Sequence, residues 1–270
     1  MSASLELLDR DCILAGLTDA ARALLSRLEV HAVLDSTNRY LLAGAQAGWP
    51  SGVVCLAEQQ TAGRGRQGRH WLTPSGASLA CSLLWRFAVH PAALSGLSLA
   101  AGIAVARALQ NVGVTEVGLK WPNDVWWHQR KLGGILLESD GVFGDFYVVA
   151  GIGINVALPR QEAAVIDQPW VDLQEIRVDE SISRNALAAF LISELLETFL
   201  RFEQGGFADL AMEWANFDQV KGCQVSLCLP NATVTGVARG VDATGALLLE
   251  TASGEIKPYI GGEISLRIAA

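Results

Sequence analysis

The stretch EQQTAGRGRQGRHW, Glu58 to Trp71, decides how the rest of the chain is read. Gly63, Gly65 and Gly68 satisfy G-x-G-x-x-G, the spacing of a dinucleotide-binding turn. Such a turn leads from a strand into a helix, so the flanks are the test. Before it, GVVCLAE (Gly52–Glu58) is a continuous apolar run of strand length. After it, Thr73-Pro74-Ser75-Gly76 makes a turn, and GASLACSLLW (Gly76–Trp85) reads as a second strand. No helix opens where the fingerprint needs one, and Arg64, Arg66 and Arg69 are too bulky for a tight strand-to-helix turn. The stretch is a loop between two strands, and the doubly wound nucleotide fold is set aside. The chain also lacks G-x-x-x-x-G-K-[ST], so it is not a P-loop protein.

A loop of this composition has chemistry of its own. Alternating glycines let the backbone approach a ligand and present successive N–H groups. Arginines between them offer planar, permanently charged forks for phosphate or carboxylate, and Trp71 offers a face to a ring. A solvated turn that merely carries arginines is the plain alternative. A second cluster weighs against it: KWPNDVWWHQRKLGGILLE, Lys120 to Glu138. There Pro122 and the Asn123-Asp124 pair favour a turn, and Lys131 opens a strand whose Gly133-Gly134 permits close backbone approach.

Outward from these two clusters the elements alternate. LELLDRDCILAGLTDAARALLSRL (Leu5–Leu28) has helical spacing and reads as one or two short helices. VHAVLDSTNRYLLAGAQAG (Val30–Gly48) reads as a strand, a turn and a helix, with Asp35, Ser36 and Thr37 as capping types. LSGLSLAAGIAVARAL (Leu94–Leu109) reads as a buried helix, too short and too polar to span a bilayer. Glu116 to Val156 reads as several strands with a hairpin at Gly141 and Gly144, and Arg184 to Gly206 as a long amphipathic helix. A further helix lies near Trp214. From Gly222 onward, short apolar strands between glycines predict a small all-β barrel or sandwich. The boundaries read are 1–30 for a helical segment, 31–219 for a catalytic domain and 220–270 for the β domain.

Composition bounds the function. The 270 residues are 51% hydrophobic and carry a net charge of −8, from 20 Lys+Arg against 28 Asp+Glu. An acidic chain lacks the broad basic face that drives non-specific nucleic-acid binding, so its anion site must be a local concentration of arginine and lysine. Five scattered cysteines (Cys12, Cys55, Cys81, Cys223, Cys228) match no zinc spacing and, being odd in number, no disulfide framework. They read as reduced thiols of a cytoplasmic protein. No secretory signal is visible. The four histidines, His31, His70, His90 and His128, show no catalytic arrangement.

DSTN (Asp35–Asn38), AEQQTAGRGRQGRHW (Ala57–Trp71), GLSLAAGIAVARAL (Gly96–Leu109), the Lys120–Glu138 cluster and GIGINV (Gly151–Val156), in that order, resemble the biotin protein ligases. GALLLETASGEIKPYIGGEISLR (Gly245–Arg267) resembles that family's terminal domain, and the likeness runs from about Leu34 to Arg267. It implies an α+β fold: a mixed β-sheet catalytic domain flanked by helices, of the class II synthetase-like biotin/lipoate ligase kind, with a C-terminal SH3-like β-barrel. It implies activation of biotin by ATP and magnesium to biotinyl-5′-AMP, then transfer to a lysine of a biotin carboxyl carrier domain, as in acetyl-CoA carboxylase. By motif match, Ser36, Thr37, Asn38 and Gln60 would line the ureido end of biotin. Gly63, Arg64, Gly65 and Arg66 would fold over biotin and its adenylate, and Lys131 would sit by the carboxylate and phosphate. Arg66, Trp71, Asn123, Lys131, Asn155, Trp170 and Arg267 would lie on the nucleotide side. Arg66, Lys131 and Asp124 would be catalytic, with Asn123 and Asp124 candidates for magnesium or the incoming amine. Ala157–Trp170 is either a second lid, closing with Val165, Ile166 and Trp170, or an ordinary connection. Only about thirty residues precede the HAVLDSTN block (His31–Asn38), which implies the form without a DNA-binding module and no DNA or membrane partner. The resemblance also points to dimers formed through an exposed sheet edge. A lipoate or octanoate ligase and a nucleic-acid-binding regulator are the competing readings.

Overall fold

The computed structural model describes residues 6–88, 91–142, 145–177, 182–262 and 264–268. His90 and Gly144 lie outside them. In chain order the elements are α1 (Arg10–Ala15), α2 (Asp19–Leu24), β1 (Arg27–Leu34), α3 (Thr37–Gln46), β2 (Val53–Gln60), β3 (Ser78–Phe87) and α4 (Leu97–Asn111). Then follow β4 (Val117–Lys120), β5 (Asp124–Trp127), β6 (Arg130–Val142), β7 (Asp145–Asn155), α5 (Leu173–Ile176), α6 (Arg184–Gly205) and α7 (Ala211–Phe217). The last five strands are β8 (Gln224–Leu229), β9 (Ala232–Val241), β10 (Leu247–Glu250), β11 (Ile256–Tyr259) and β12 (Ser265–Ile268).

Seven strands form one mixed sheet in the order β1-β2-β3-β7-β6-β5-β4. Only β1 and β2 run parallel; every other neighbouring pair is antiparallel. Strand residues alternate faces, and the two faces bury different cores. Val54, Leu56, Leu83, Trp85, Val148 and Ala150 join the large core with α4 and α6. Val53, Cys55, Leu84, Tyr147 and Val149 pack under Leu41 and Ala45 of α3. The five remaining strands make a separate antiparallel sheet, ordered β11-β10-β9-β8-β12.

Two sequence expectations change. The central sheet already begins at Arg27, so Arg27–Val30 belong to that sheet rather than to the N-terminal helical segment 1–30. Both helices of that segment pack on α6, with Ile13 and Ala21 fully buried. The helical stretch Pro91–Asn111 is, by length and composition, long and apolar enough to cross a membrane. This corrects the expectation from Leu94–Leu109 that the stretch is too short and too polar: the helical stretch starts three residues earlier and ends two later, and its serines and Arg107 do not outweigh its apolar residues. Here most of its residues are buried, and α4 packs against α6 and the sheet. All five cysteines are free thiols, and burial pushes Cys81 up to about 12.

Candidate active site

On the α3 side of β7, Tyr147 and Val149 fill the space under the helix, but the next two inward positions are Gly151 and Gly153. The apolar packing therefore stops and a cleft of about 370 Å³ begins, within the range of small-molecule sites. A side chain at Gly151 would meet the Asn38 amide at 2.2 Å, and one at Gly153 would meet the Trp71 indole at 2.4 Å. The GIGIN motif is thus the cleft floor, kept bare so that a helix residue and a loop aromatic can lie against it.

One end of the cleft is a hydrogen-bonded polar cluster. Ser36 caps α3, which places Thr37 and Asn38 on its first turn facing the sheet. Gln60 Oε1 accepts from the Thr37 backbone N–H at 2.8 Å and from its hydroxyl at 3.1 Å, while its amide donates to Thr73 Oγ1. The Ser82 hydroxyl lies 2.6 Å from Asn38 Oδ1 and 2.7 Å from Thr37 Oγ1. Asn38 Nδ2 donates to Glu138 at 2.9 Å. Arg64 reaches across from the loop to the other Glu138 oxygen at 3.2 Å. Ser36, Thr37, Asn38 and Ser82 are all buried. Their amide and hydroxyl orientations are set by partners before any ligand arrives.

The other end is cationic. The arginine loop is folded rather than extended: Gly65 N–H donates to Arg69 O, Trp71 N–H to Gly63 O, and Arg64 bridges His70. Arg66 leaves this loop to donate to Asn123 Oδ1 at 2.7 Å and to the backbone carbonyls of Gly262 and Ile264 in the C-terminal sheet. Lys131 Nζ sits 2.6 Å from Asp124 and 5.5 Å from the Trp71 ring centre, over its face. Lys120 approaches the second Asp124 oxygen at 3.5 Å. Burial works to raise the Asp124 carboxyl, but the two ammonium groups outweigh it and hold its pKa below the ordinary value. Burial pushes Lys120 down, with Asp124 opposing.

The Ala157–Trp170 segment completes the wall. Lys131 N–H donates to Pro169 O and Val171 N–H to Lys131 O, so this chain runs beside the start of β6. Asn155 donates to the carbonyls of Lys131 and Val171 and ties the three pieces together. Ala163 is buried against Ala77 and Leu158, while Val165 is exposed at the rim. Val165, Ile166 and Trp170 all line the cleft.

Of the residues expected from sequence, Ser36, Thr37, Asn38, Gln60, Arg64, Gly65, Arg66, Trp71, Asn123, Lys131, Asn155 and Trp170 line this one cleft. Gly63 is buried behind it, where a side chain would meet the Trp71 carbonyl. Asp124 lies behind Lys131. Arg267 is not brought to the cleft: on β12, Leu266 points inward and Arg267 outward, opposite Ser226 of β8 and exposed. The C-terminal sheet reaches the site through the carbonyls that hold Arg66. Asn123 is committed to Arg66 and to Ile135 O. The described residues include no group of three or more His, Cys, Asp or Glu placed to hold a metal, and both Asp124 oxygens face ammonium groups. The site does not fit a magnesium ion held by protein ligands alone. Ser82, Thr73, Glu138 and Lys120 were missed. A serine on an otherwise apolar strand was the available signal for Ser82, and Lys120 stood at the head of the KWPND motif.

Comparison with known proteins agrees with this geometry. Residues 30–155 match the model of the biotin/lipoate A/B protein ligase family, and residues 222–267 that of the biotin protein ligase C-terminal domain. The bifunctional ligase/repressor BirA of Escherichia coli is 47% identical over 238 residues, covering 88% of this chain and 73% of the relative. The biotin–[acetyl-CoA-carboxylase] ligase of Mycobacterium tuberculosis is 36% identical, covering 89% of this chain and 90% of the relative. The Aquifex aeolicus biotin protein ligase, solved in complex with biotin and ATP, is 29% identical with a TM-score of 0.76, covering 91% of this chain and all of that one. Identity of this level over nearly nine-tenths of the chain, with the fold of the Aquifex aeolicus enzyme, shows that the chain belongs to the biotin/lipoate A/B protein ligase family.

Proposed function

We propose that this protein is a biotin–protein ligase: it joins biotin to ATP as biotinyl-5′-AMP and passes the biotinyl group to a lysine of a carrier protein. The observation that carries the reading is the polarity of the cleft. A fixed set of amide and hydroxyl groups (Thr37, Asn38, Gln60, Ser82) suits a ureido ring, which needs both donors and acceptors. At the other end of the same cleft stand Arg66 and Lys131, which suit a carboxylate meeting a phosphate. A lipoyl ring carries no donor and only weak sulfur acceptors, so it gains little from this cluster, whereas a ureido ring can exchange hydrogen bonds with it.

In the first half-reaction a carboxylate oxygen of biotin attacks the α-phosphorus and pyrophosphate leaves. Two anions must be brought together, so the catalytic need is positioning and charge compensation. Lys131 is poised to exchange its Asp124 contact for the phosphoryl oxygens, and Arg66 to exchange its carbonyl contacts for the same group. Magnesium would arrive on the nucleotide's own phosphates, as is common for that ion. In the second half-reaction the carrier lysine's neutral amine attacks the acyl carbon, AMP departs and the amine loses its proton. Trp71 and the Val165–Trp170 wall shield the mixed anhydride from water. Incubation with ATP, magnesium and either biotin or lipoate tests the reading: pyrophosphate release and a retained acyl-AMP with biotin, and neither with lipoate. Activation of lipoate in preference would sink it.

The carrier is of the biotin carboxyl carrier class. A second copy of the chain is proposed to dock along β6: residues Leu136–Val142 pair only with β7, which leaves an open strand edge beside the cleft among the described residues. Sedimentation with and without adenylate reads the assembly.

A further inference from the structure

Arg184 and Glu58 form an ion pair that lies outside the cleft and that the chemistry above does not use. Arg184, the first residue of α6, is 2% exposed and Glu58 on β2 is 7% exposed; Nη1 to Oε2 is 2.8 Å. The same guanidinium donates from Nη2 to the Ser78 carbonyl at 3.0 Å and from Nη1 to the Glu6 carbonyl at 2.7 Å. The other Glu58 oxygen accepts the Leu8 backbone N–H. Replacing a buried ion pair by apolar side chains is often neutral or stabilising, so stability alone is a poor account of this one.

Its location suggests another. The β2–β3 ladder ends at the Ala57–Ala80 pair. Between those strands runs the segment that carries Arg64, Arg66, Arg69 and Trp71. Beyond that pair two longer backbone bonds still link the stems, Gly76 N–H to Glu58 O at 3.3 Å and Gln60 N–H to Thr73 O at 3.4 Å, and Arg184 adds a side-chain tie between Glu58 on the outgoing strand and Ser78 on the returning one. Gln60, two residues after Glu58, orients Thr37. Ser78 pairs with Asn155, which holds the Lys131 carbonyl. One buried cation thus braces both stems of the loop from behind the sheet, in addition to those backbone bonds.

We propose that Arg184 is a positioning residue for the adenylation reaction: paired with Glu58, it fixes the strand ends from which the arginine loop departs, and so the geometry in which that loop meets biotin and phosphate. The kinetic part of this inference rests on the biotin-ligase reading; the structural part does not. Arg184→Met alone would strand the Glu58 carboxylate, so the informative variants are the neutral pair Glu58→Gln/Arg184→Met and the charge-retaining Arg184→Lys, which gives up the planar fork.

The experiment compares them with the parent in three readouts: melting temperature, amide exchange, and the KM and kcat for pyrophosphate release with biotin. In the neutral pair, the Gly65 and Trp71 amides exchange about tenfold faster while the β6–β7 amides keep their protection, as expected of a locally loosened unit. The KM for biotin rises about tenfold, since displaced contacts weaken binding, with a smaller change in kcat. Arg184→Lys falls between the neutral pair and the parent. A lower melting temperature with loop exchange and biotin KM unchanged in both variants would reduce the pair to a stability element and overturn the proposal. A parent that makes no biotinyl-AMP defeats the biotin reading instead, and loop exchange still decides the role of Arg184.

Discussion

Asp124 shows how much a single residue can be asked to balance. It was expected to serve a metal or an incoming amine, and it instead lies between two lysines, nearly buried. Its pKa is depressed in the folded protein, so its contribution to stability is complete above the ordinary aspartate range and is lost as pH falls through that range toward the lower folded value. Asp124→Asn leaves Lys120 and Lys131 side by side without a counter-charge. The expected loss is about 3 kcal/mol near neutral pH, typical of removing one partner of a buried pair. Chemical denaturation of parent and variant at pH 7 and pH 3 checks this, the difference shrinking at the lower pH. Arg66 has a different part. Arg66→Gly removes a charge that bridges the loop, Asn123 and the C-terminal carbonyls, yet it opens no core cavity. The fold should survive with a melting temperature close to the parent's. Adenylate should escape about a hundredfold faster, the scale of losing a charge-assisted clamp on an anion. Trapping of released biotinyl-AMP reads this, and equal retention in variant and parent would remove the clamp role.

At the scale of elements, β7 does two jobs with one alternation. Its outward-core residues Val148, Ala150, Ile152 and Ile154 are buried against the helices, and its other face ends in Gly151 and Gly153. Gly153→Val puts a branched side chain where the Trp71 indole lies, without touching the ladder hydrogen bonds. The sheet should form, and Trp71 should be expelled from the cleft. Tryptophan fluorescence is expected to shift toward a more solvated spectrum, with biotin affinity falling at least tenfold because the aromatic wall and the Lys131 contact are both lost. Unchanged fluorescence and affinity would mean that the indole does not rest on Gly153. The segment Ala157–Trp170 shows the same economy: its backbone completes the edge beside Lys131, and Val165 is left exposed where a bound adenine could cover it.

Across the whole molecule, hydrogen bonds tie the C-terminal sheet to the rest of the chain, among them Ser95 Oγ donating to Thr244 O at 2.8 Å and two contacts nearer the cleft. Trp121, fully buried, donates to the Gly245 carbonyl at 3.1 Å, and Arg66 donates to Gly262 and Ile264. Gly245 has φ +81° and a side chain there would meet the Gly96 backbone at 2.7 Å. Gly245→Ala should therefore shift the C-terminal sheet away from α4 and take the Arg66 acceptors with it. A loss of about 2 kcal/mol is expected from strain and disturbed packing, together with a fall in adenylation rate that Asn123 cannot compensate; calorimetry and pyrophosphate release measure the two. Much of this architecture could be read from residues alone. Strand and helix periods located nearly every element, the flanks of the glycine-arginine loop ruled out the doubly wound fold, and ordered motifs named the chemistry and most of the cleft lining. Those features are local, since each depends on neighbours within a few positions in the chain. What required coordinates was every choice made between distant segments: Ser82 and Glu138 joining the polar end, Asp124 held by two lysines, Arg267 pointing away while Gly262 and Ile264 supply the contact, and Arg184 holding loop stems 126 and 106 residues away. Hydrogen bonds and ion pairs of that kind follow from which face a strand residue takes and which backbone carbonyl is left free, and neither is settled until the sheets have packed.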